Sequence, residues 1–384
     1  MTAGKGAGLG HALGLAAGPL VAMGMARFAY ALLLPPMRAD LQWTYTEAGA
    51  MNTANAVGYL AGAIGSAWLV SHVRLRLLFL VGIVLTAASV LACAATTSFA
   101  LLAALRLLGG VCGAITFVTG AALVMHAGTG LPARRATLML GIYVAGGGLG
   151  IAVSGFVLPP LLVAAGWQFG WLALGLVSAV ALLPAALAAR TGDSAKAVIT
   201  VGAPWPWRRL AALAASYGLF GLGYVGYTTF IVALLQPSLG AGGVAVFWVV
   251  LGVVGAASTV AWGPMLGWFR GGRSLTVLLG MIAVGAAIPV VADGQAAAIA
   301  SAVLFGGGFL ATAAAVTVVV RHAAPPHAWG PAVGAITTVF ALGQCVGPVL
   351  TGALSDQTGV RAGMALSAVL LAVGALVALA QPAD

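Results

Sequence analysis

Charge is what this 384-residue chain has least of. It carries 16 Lys and Arg and 6 Asp and Glu, together 6% of its residues, against 62% hydrophobic. A soluble domain carries about 25% charged residues, and so few charges cannot cover a chain of this length with a water-compatible surface. Soluble enzymes, nucleic-acid binders and disordered chains are excluded, despite a net charge of +10. Cysteine is scarce as well. Cys93, Cys112 and Cys345 lie inside apolar runs at no metal-ligand spacing and read as small buried residues. The 5 histidines form no HxxxH pattern. No nucleotide-binding or nucleophile-elbow motif has the strand-then-helix context it needs. No metal or cofactor is expected.

What the chain has is long apolar runs. A membrane span needs about 20 mostly apolar residues. Charges, proline pairs and polar clusters divide the chain into twelve such spans, near 11–35, 46–70, 76–96, 99–126, 137–161, 168–189, 209–236, 244–268, 274–292, 295–320, 331–354 and 361–380. They are numbered 1 to 12 below. The first run continues to Leu34, past the length of a signal-peptide core, so it reads as a span. Backbone groups in lipid must be satisfied within the segment, and continuous apolar runs exclude a β-barrel, so the spans are helices.

Lys and Arg set the orientation. With both termini cytoplasmic, the inner segments hold Lys5, Arg74, Arg76, Arg134, Arg135, Arg190, Lys196, Arg208, Arg209, Arg270, Arg273 and Arg321, and the outer loops hold Arg38 and Arg361. That asymmetry is a strong positive-inside signal. The longest polar stretch, 190–208, falls between spans 6 and 7, which predicts a six-helix bundle over 1–189, a cytoplasmic linker, and a second bundle over 209–384.

Sliding the chain on itself by 197 residues pairs span 1 with 7, 2 with 8, and so on. Gly146, Gly150 and Gly155 then meet Gly343, Gly347 and Gly352, and Gly166 meets Gly363. Two repeats of the same orientation imply a pseudo-two-fold axis along the membrane normal, with a site between the halves near the midplane.

These features resemble the major facilitator superfamily over essentially the whole chain. Arg106-Leu-Leu-Gly109-Gly110 is similar to the superfamily's span-4 arginine motif. Gly24-Met-Ala-Arg27-Phe-Ala-Tyr30, Asn55-x-x-Gly58-Tyr59 and Tyr217-Gly-Leu-Phe-Gly-Leu-Gly-Tyr224 resemble the bacterial YbfB/YjiJ-like branch. The resemblance implies a twelve-helix transporter and no particular substrate. The usual acidic signature between spans 2 and 3 is missing from Ala67 to Arg76. A similar pattern, Gly352-x-Leu354-x-Asp356-x-x-Gly359-x-Arg361, stands at the far end of span 11, as a diverged copy with a conformational role or by chance.

Charge near the bilayer centre costs roughly 2.5–3.5 kcal/mol even on a lenient scale. Only Arg27 and Arg106 fall well inside spans, at comparable depth in the outer half, and no span middle holds an acid. An anionic substrate would supply the missing partner, and the planar donors of Arg match a carboxylate. The alternative is that each Arg satisfies backbone carbonyls or reaches for the interface. The membrane tyrosines Tyr30, Tyr59, Tyr143, Tyr217, Tyr224 and Tyr227 lie on spans 1, 2, 5 and 7, with Asn52, Asn55 and Gln344 on spans 2 and 11. In the superfamily fold these spans line the cavity. Each polar group can equally make an interhelical hydrogen bond. Glu47 is the acid nearest the outer mouth and the candidate for proton coupling, although Thr44-Tyr45-Thr46-Glu47 also reads as a helix-capping box.

The expectation is a monomeric secondary transporter of the bacterial inner membrane that moves a small organic anion past membrane lipid. Its site would hold Arg27, Tyr30, Asn52, Asn55, Tyr59, Arg106, Tyr143, Tyr217, Tyr224, Tyr227 and Gln344. Proton-coupled efflux of amphipathic drugs or sugars is the alternative within transport. A non-transporting membrane sensor is the alternative outside it. An enzyme is not expected, because the spans lack clustered His, Asp and Glu.

Overall fold

The computed structural model describes residues 4–191 and 205–383. Lys196 and most of the expected linker 190–208 lie outside the described residues. Among the described residues every regular element is helical. Nine helical runs among the described residues are long and apolar enough to cross a membrane. Two of these are double. Ala133–Ala188 turns at Gly166 (φ 82°), and Ala211–Ala261 turns at Gly240 (φ 63°). A side chain is strained at such a backbone angle, so glycine marks both turns. Tyr45–His72, richer in Asn, Thr, Ser and Gly, is a further long helix. The set is consistent with the twelve expected spans.

Large apolar side chains point outward along the helices, among them Phe156, Val180, Leu183 and Leu376, all more than half exposed. Such a surface is untenable in water and ordinary in lipid. The protein is a multi-pass membrane protein. Below, the end carrying Arg134, Arg135 and Arg270 is called the basic end, and the opposite one the Arg38 end.

The repeat is visible in the packing. In the first bundle, Gly146 and Gly150 of span 5 bring its backbone against the carbonyls of Ala16 and Leu20 in span 1; in the second, Gly343 and Gly347 of span 11 sit against those of Gly218 and Leu222 in span 7. Where lipid removes the hydrophobic drive between helices, such backbone approach is what packs them. The next pair crosses between bundles: Gly155 of span 5 abuts Trp248 of span 8, and Gly352 of span 11 abuts Tyr45 of span 2. Both pairings obey one pseudo-two-fold. The 197-residue offset holds along spans 5 and 11 up to this point, while their partners in spans 1 and 7 are offset by 202 (Ala16 and Gly218, Leu20 and Leu222). Gly166 turns between spans 5 and 6, but the matching turn between spans 11 and 12 is Gly359 (φ 89°). Gly363 is packed against Ser355 and Thr351 instead. The turn comes four residues early because span 11 is the shorter arm of the repeat.

Span 1 is irregular. Leu20–Phe28 is a π-helix of nine residues, in which the Ala29 amide donates to Gly24 O rather than one residue nearer. Gly24 meets the Gly150 backbone there so closely that a Cβ would overlap it. π-Turns widen a helix and are frequent at functional sites. This one carries Arg27.

Candidate functional site

Arg27 leaves span 1 from the π-helix and is 3% exposed. Its Nη2 donates to Oε1 of Gln344 on span 11, in the other bundle. Its guanidinium lies over the Tyr59 ring of span 2, 5.2 Å from the centroid, a favourable cation–π position. No carboxylate within ion-pair distance of Arg27 is found among the described residues. A neutral side-chain amide is therefore the polar partner of a buried cation.

Arg106 is equally buried and differently used. Its Nη1 donates to Ala26 O, its Nη2 to Asn52 Oδ1 at 3.2 Å, and its Nε reaches Met51 O at 3.4 Å. The guanidinium also faces the rings of Tyr30 (4.7 Å) and Trp171 (5.6 Å). Arg106 thus ties spans 1, 2 and 4 of one bundle together. The space beside it, lined by Asn55, Cys93 and Trp171, is about 10 Å³, too small for a substrate.

The other expected site residues divide into those between the bundles and those within one. Asn52 Nδ2 donates across the interface to Thr229 Oγ1 of span 7 at 2.6 Å. Within the second bundle, Tyr217 and Tyr224 stand in a set of nearly parallel rings with Phe220 of span 7 and Phe340 of span 11; Tyr217 and Phe340 are 4.4 Å apart, Phe220 and Tyr224 4.8 Å. Asn55 bonds to Arg106 O at 3.1 Å. Tyr30 donates to Ala48 O at 2.8 Å. Tyr143 donates to Phe117 O at 2.8 Å, between spans 4 and 5. Tyr227 shares a 2.6 Å hydrogen bond with Ser301 and stacks on Phe305, inside the second bundle. Tyr30, Asn55, Tyr143 and Tyr227 therefore brace single bundles. Thr229, Phe220 and Phe340 were not among the expected residues. A threonine that bonds its own helix, and a phenylalanine on an apolar span, carry no sequence signal of their own.

Glu47 forms the capping box with Thr44, its Oε2 accepting from the Thr44 amide at 2.8 Å. A different acid joins the bundles. Asp356, at the end of span 11, accepts from the amides of Tyr45 (2.7 Å) and Thr46 (3.0 Å) and from the Thr46 hydroxyl (2.6 Å). It caps the start of span 2, where unsatisfied amides and the helix dipole favour an anion. Just below, Gly49 packs on the Pro348 backbone, and Thr53 donates to Cys345 O at 2.8 Å. The Arg38 end of the interface between spans 2 and 11 is sealed. Toward the basic end the same helices present Ile64 and Trp68, each more than 60% exposed, and a side chain at Gly334 would meet nothing within 4 Å.

Two bundles related by a pseudo-two-fold, meeting around a buried polar cluster and closed at one end, define a transporter fold. The chain belongs to the family of MFS-type transporters: it matches the family described as "Uncharacterised MFS-type transporter YbfB" over residues 19–379. No curated protein matches it. Among solved structures, a bacterial homologue of the human lysosomal transporter Spinster, in an inward-facing and unoccupied conformation, is similar with a TM-score of 0.76 and 14% identity, covering 98% of this chain and 97% of that one. The nucleoside transporter NupG is similar with a TM-score of 0.74 and 11% identity, covering 98% of each chain. At these identities the likeness is one of fold.

Proposed function

We propose that the protein is a secondary transporter, not an enzyme, that carries a small organic anion of carboxylate type across the bacterial inner membrane by alternating access. Residues 1–189 and 209–384 rock as two bundles joined by the cytoplasmic segment 190–208. The basic end faces the cytoplasm, and the protein acts as a monomer. The observation that carries this reading is Arg27: a buried guanidinium at the bundle interface whose polar partner is a neutral amide from the opposite bundle. An entering carboxylate replaces that amide with an oppositely charged acceptor, whose two oxygens match the guanidinium's parallel donors in a bidentate pair. Gln344, released, remains within reach as a second donor. Tyr59, Tyr217 and Tyr224 supply the walls, and Asn52 with Thr229 the adjoining polar contact. Arg106 positions this cluster through Asn52 and the Ala26 carbonyl rather than touching the substrate.

Coupling runs through a proton taken at Glu47, through the substrate's own protonation, or is absent. The test is a thermal-stability screen of the purified protein against small carboxylates, nucleosides, sugars and lipophilic cations, because a ligand stabilises the state it binds. Stabilisation by one or more carboxylates supports the reading. Stabilisation by lipophilic cations alone transfers support to drug efflux, which the parallel rings of Tyr217, Phe220, Tyr224 and Phe340 would also suit.

A further inference from the structure

A cavity opens away from Arg27 as well. About 840 Å³ opens at the basic end between the start of span 5 and the end of span 8. Pro132, Thr137, Leu138 and Gly141 form one wall, and Thr259, Val260, Gly263 and Pro264 the other. The two walls belong to different bundles. They touch at the roof, where Thr259 Oγ1 donates to Gly141 O at 3.0 Å. Below that contact they part, and a side chain added at Gly263 would meet nothing within 4 Å. The lining is mostly apolar, with Thr137 and Thr259 in the walls, and its charge comes from Arg134 and Arg135, which stand together. Neither has an ion-pair partner among the described residues, and no acidic residue lines the space. No residue of the candidate substrate site lines it either.

We infer that this cavity is a binding site for an anionic phospholipid. Its acyl chains fill the apolar space between spans 5 and 8, and its phosphate pairs with Arg134 and Arg135. Three features select that occupant. The position beside the chain's basic loops puts the mouth at headgroup level. Basic pockets between helices on that side suit anionic headgroups. The apolar walls exclude a purely hydrophilic anion from the interior. Because the walls come from different bundles, a seated lipid is a wedge that holds the basic ends apart. The site rests on features separate from Arg27, so it stands or falls independently of the proposed substrate.

The experiment uses the full chain in phosphatidylcholine nanodiscs, with phosphatidylglycerol titrated in. Thermal stability and retained lipid by native mass spectrometry are the readouts. Phosphatidylglycerol is expected to raise the melting temperature of the wild type by several degrees, saturably, with a bound lipid seen by mass. The double variant Arg134→Gln/Arg135→Gln is expected to lose both effects while melting as the wild type does in pure phosphatidylcholine. Val260→Trp, which fills the cavity and keeps both charges, is expected to lose them too, and it remains informative if the double variant fails to fold. An equal response in Val260→Trp overturns the inference, because the charge effect is then one of surface potential. Stabilisation of the same size by soluble glycerol-3-phosphate also overturns it, because the site then takes a free anion.

Discussion

Arg27 and Arg106 are the same residue type, at similar depth and similarly buried, yet their surroundings assign them opposite work. Arg106 donates to two backbone carbonyls and to Asn52 within one bundle. Arg106→Gln removes these donations and leaves Asn52 Oδ1 buried without its donor, at about 1–3 kcal/mol for that group alone. The expected outcome is a melting temperature lowered by several degrees and a lower yield, with or without ligand. Arg27→Gln loses a single neutral partner and is expected to melt near wild type while losing carboxylate-induced stabilisation. Gln344→Glu supplies Arg27 with a permanent carboxylate; a raised melting temperature together with lost ligand response is the expected pair of results in the same assay. The sequence makes both arginines conspicuous because charge within a span is rare. It does not separate their roles, since those depend on which carbonyls a neighbouring helix turns toward each guanidinium. The tyrosines show the same limit. Tyr217 and Tyr224 stack on Phe220 and Phe340 of their own bundle, and Tyr143 and Tyr227 lie on the expected spans and likewise bond within their own bundles.

At the scale of elements, hydrophobic runs and glycine spacing made most of the helices and the repeat legible. The π-helix of span 1 was not legible, because its residues keep the apolar composition of an ordinary span and the wider turn changes no pattern in the sequence. Its consequence is large. It sets the direction in which Arg27 leaves the helix and presents Ala26 O to Arg106. Gly24→Val places a branched side chain against the Gly150 backbone and must push spans 1 and 5 apart. Overpacking of this kind costs about 1–3 kcal/mol or more. A lowered melting temperature together with weakened ligand stabilisation is expected, because the displaced segment carries Arg27. Gly10→Val, on the same helical run where added atoms meet nothing within 4 Å, is the control expected to behave as wild type.

For the whole molecule, the seal at the Arg38 end is the feature that alternating access must break. Glu47 was the acid singled out in the sequence, and the capping box binds it locally. Asp356 is the acid that crosses between the bundles. Its motif was visible in the sequence; its partner, the start of span 2, was 310 residues away along the chain and could not be. Asp356→Ala removes three hydrogen bonds to a charged acceptor, worth about 1.5–3 kcal/mol each when buried and less at this exposed end. A loss of 1.4 kcal/mol shifts a two-state equilibrium about tenfold. Spin labels on the exposed positions Ala39 and Thr358, one on each bundle, are expected to show a new long-distance population in the variant. An unchanged distance distribution would mean that Gly49 and Gly352 packing alone holds this end shut.

The central claim is that Arg27 is the anchor for an anionic substrate held between the two bundles. Its most direct test is equilibrium binding of the best-stabilising carboxylate to the wild type, Arg27→Gln and Arg106→Lys, each first shown to be folded by its melting curve. The account predicts that Arg27→Gln loses at least about tenfold in affinity, the equivalent of one charge-assisted contact, while Arg106→Lys keeps most of it. Unchanged binding in a folded Arg27→Gln variant would contradict the account.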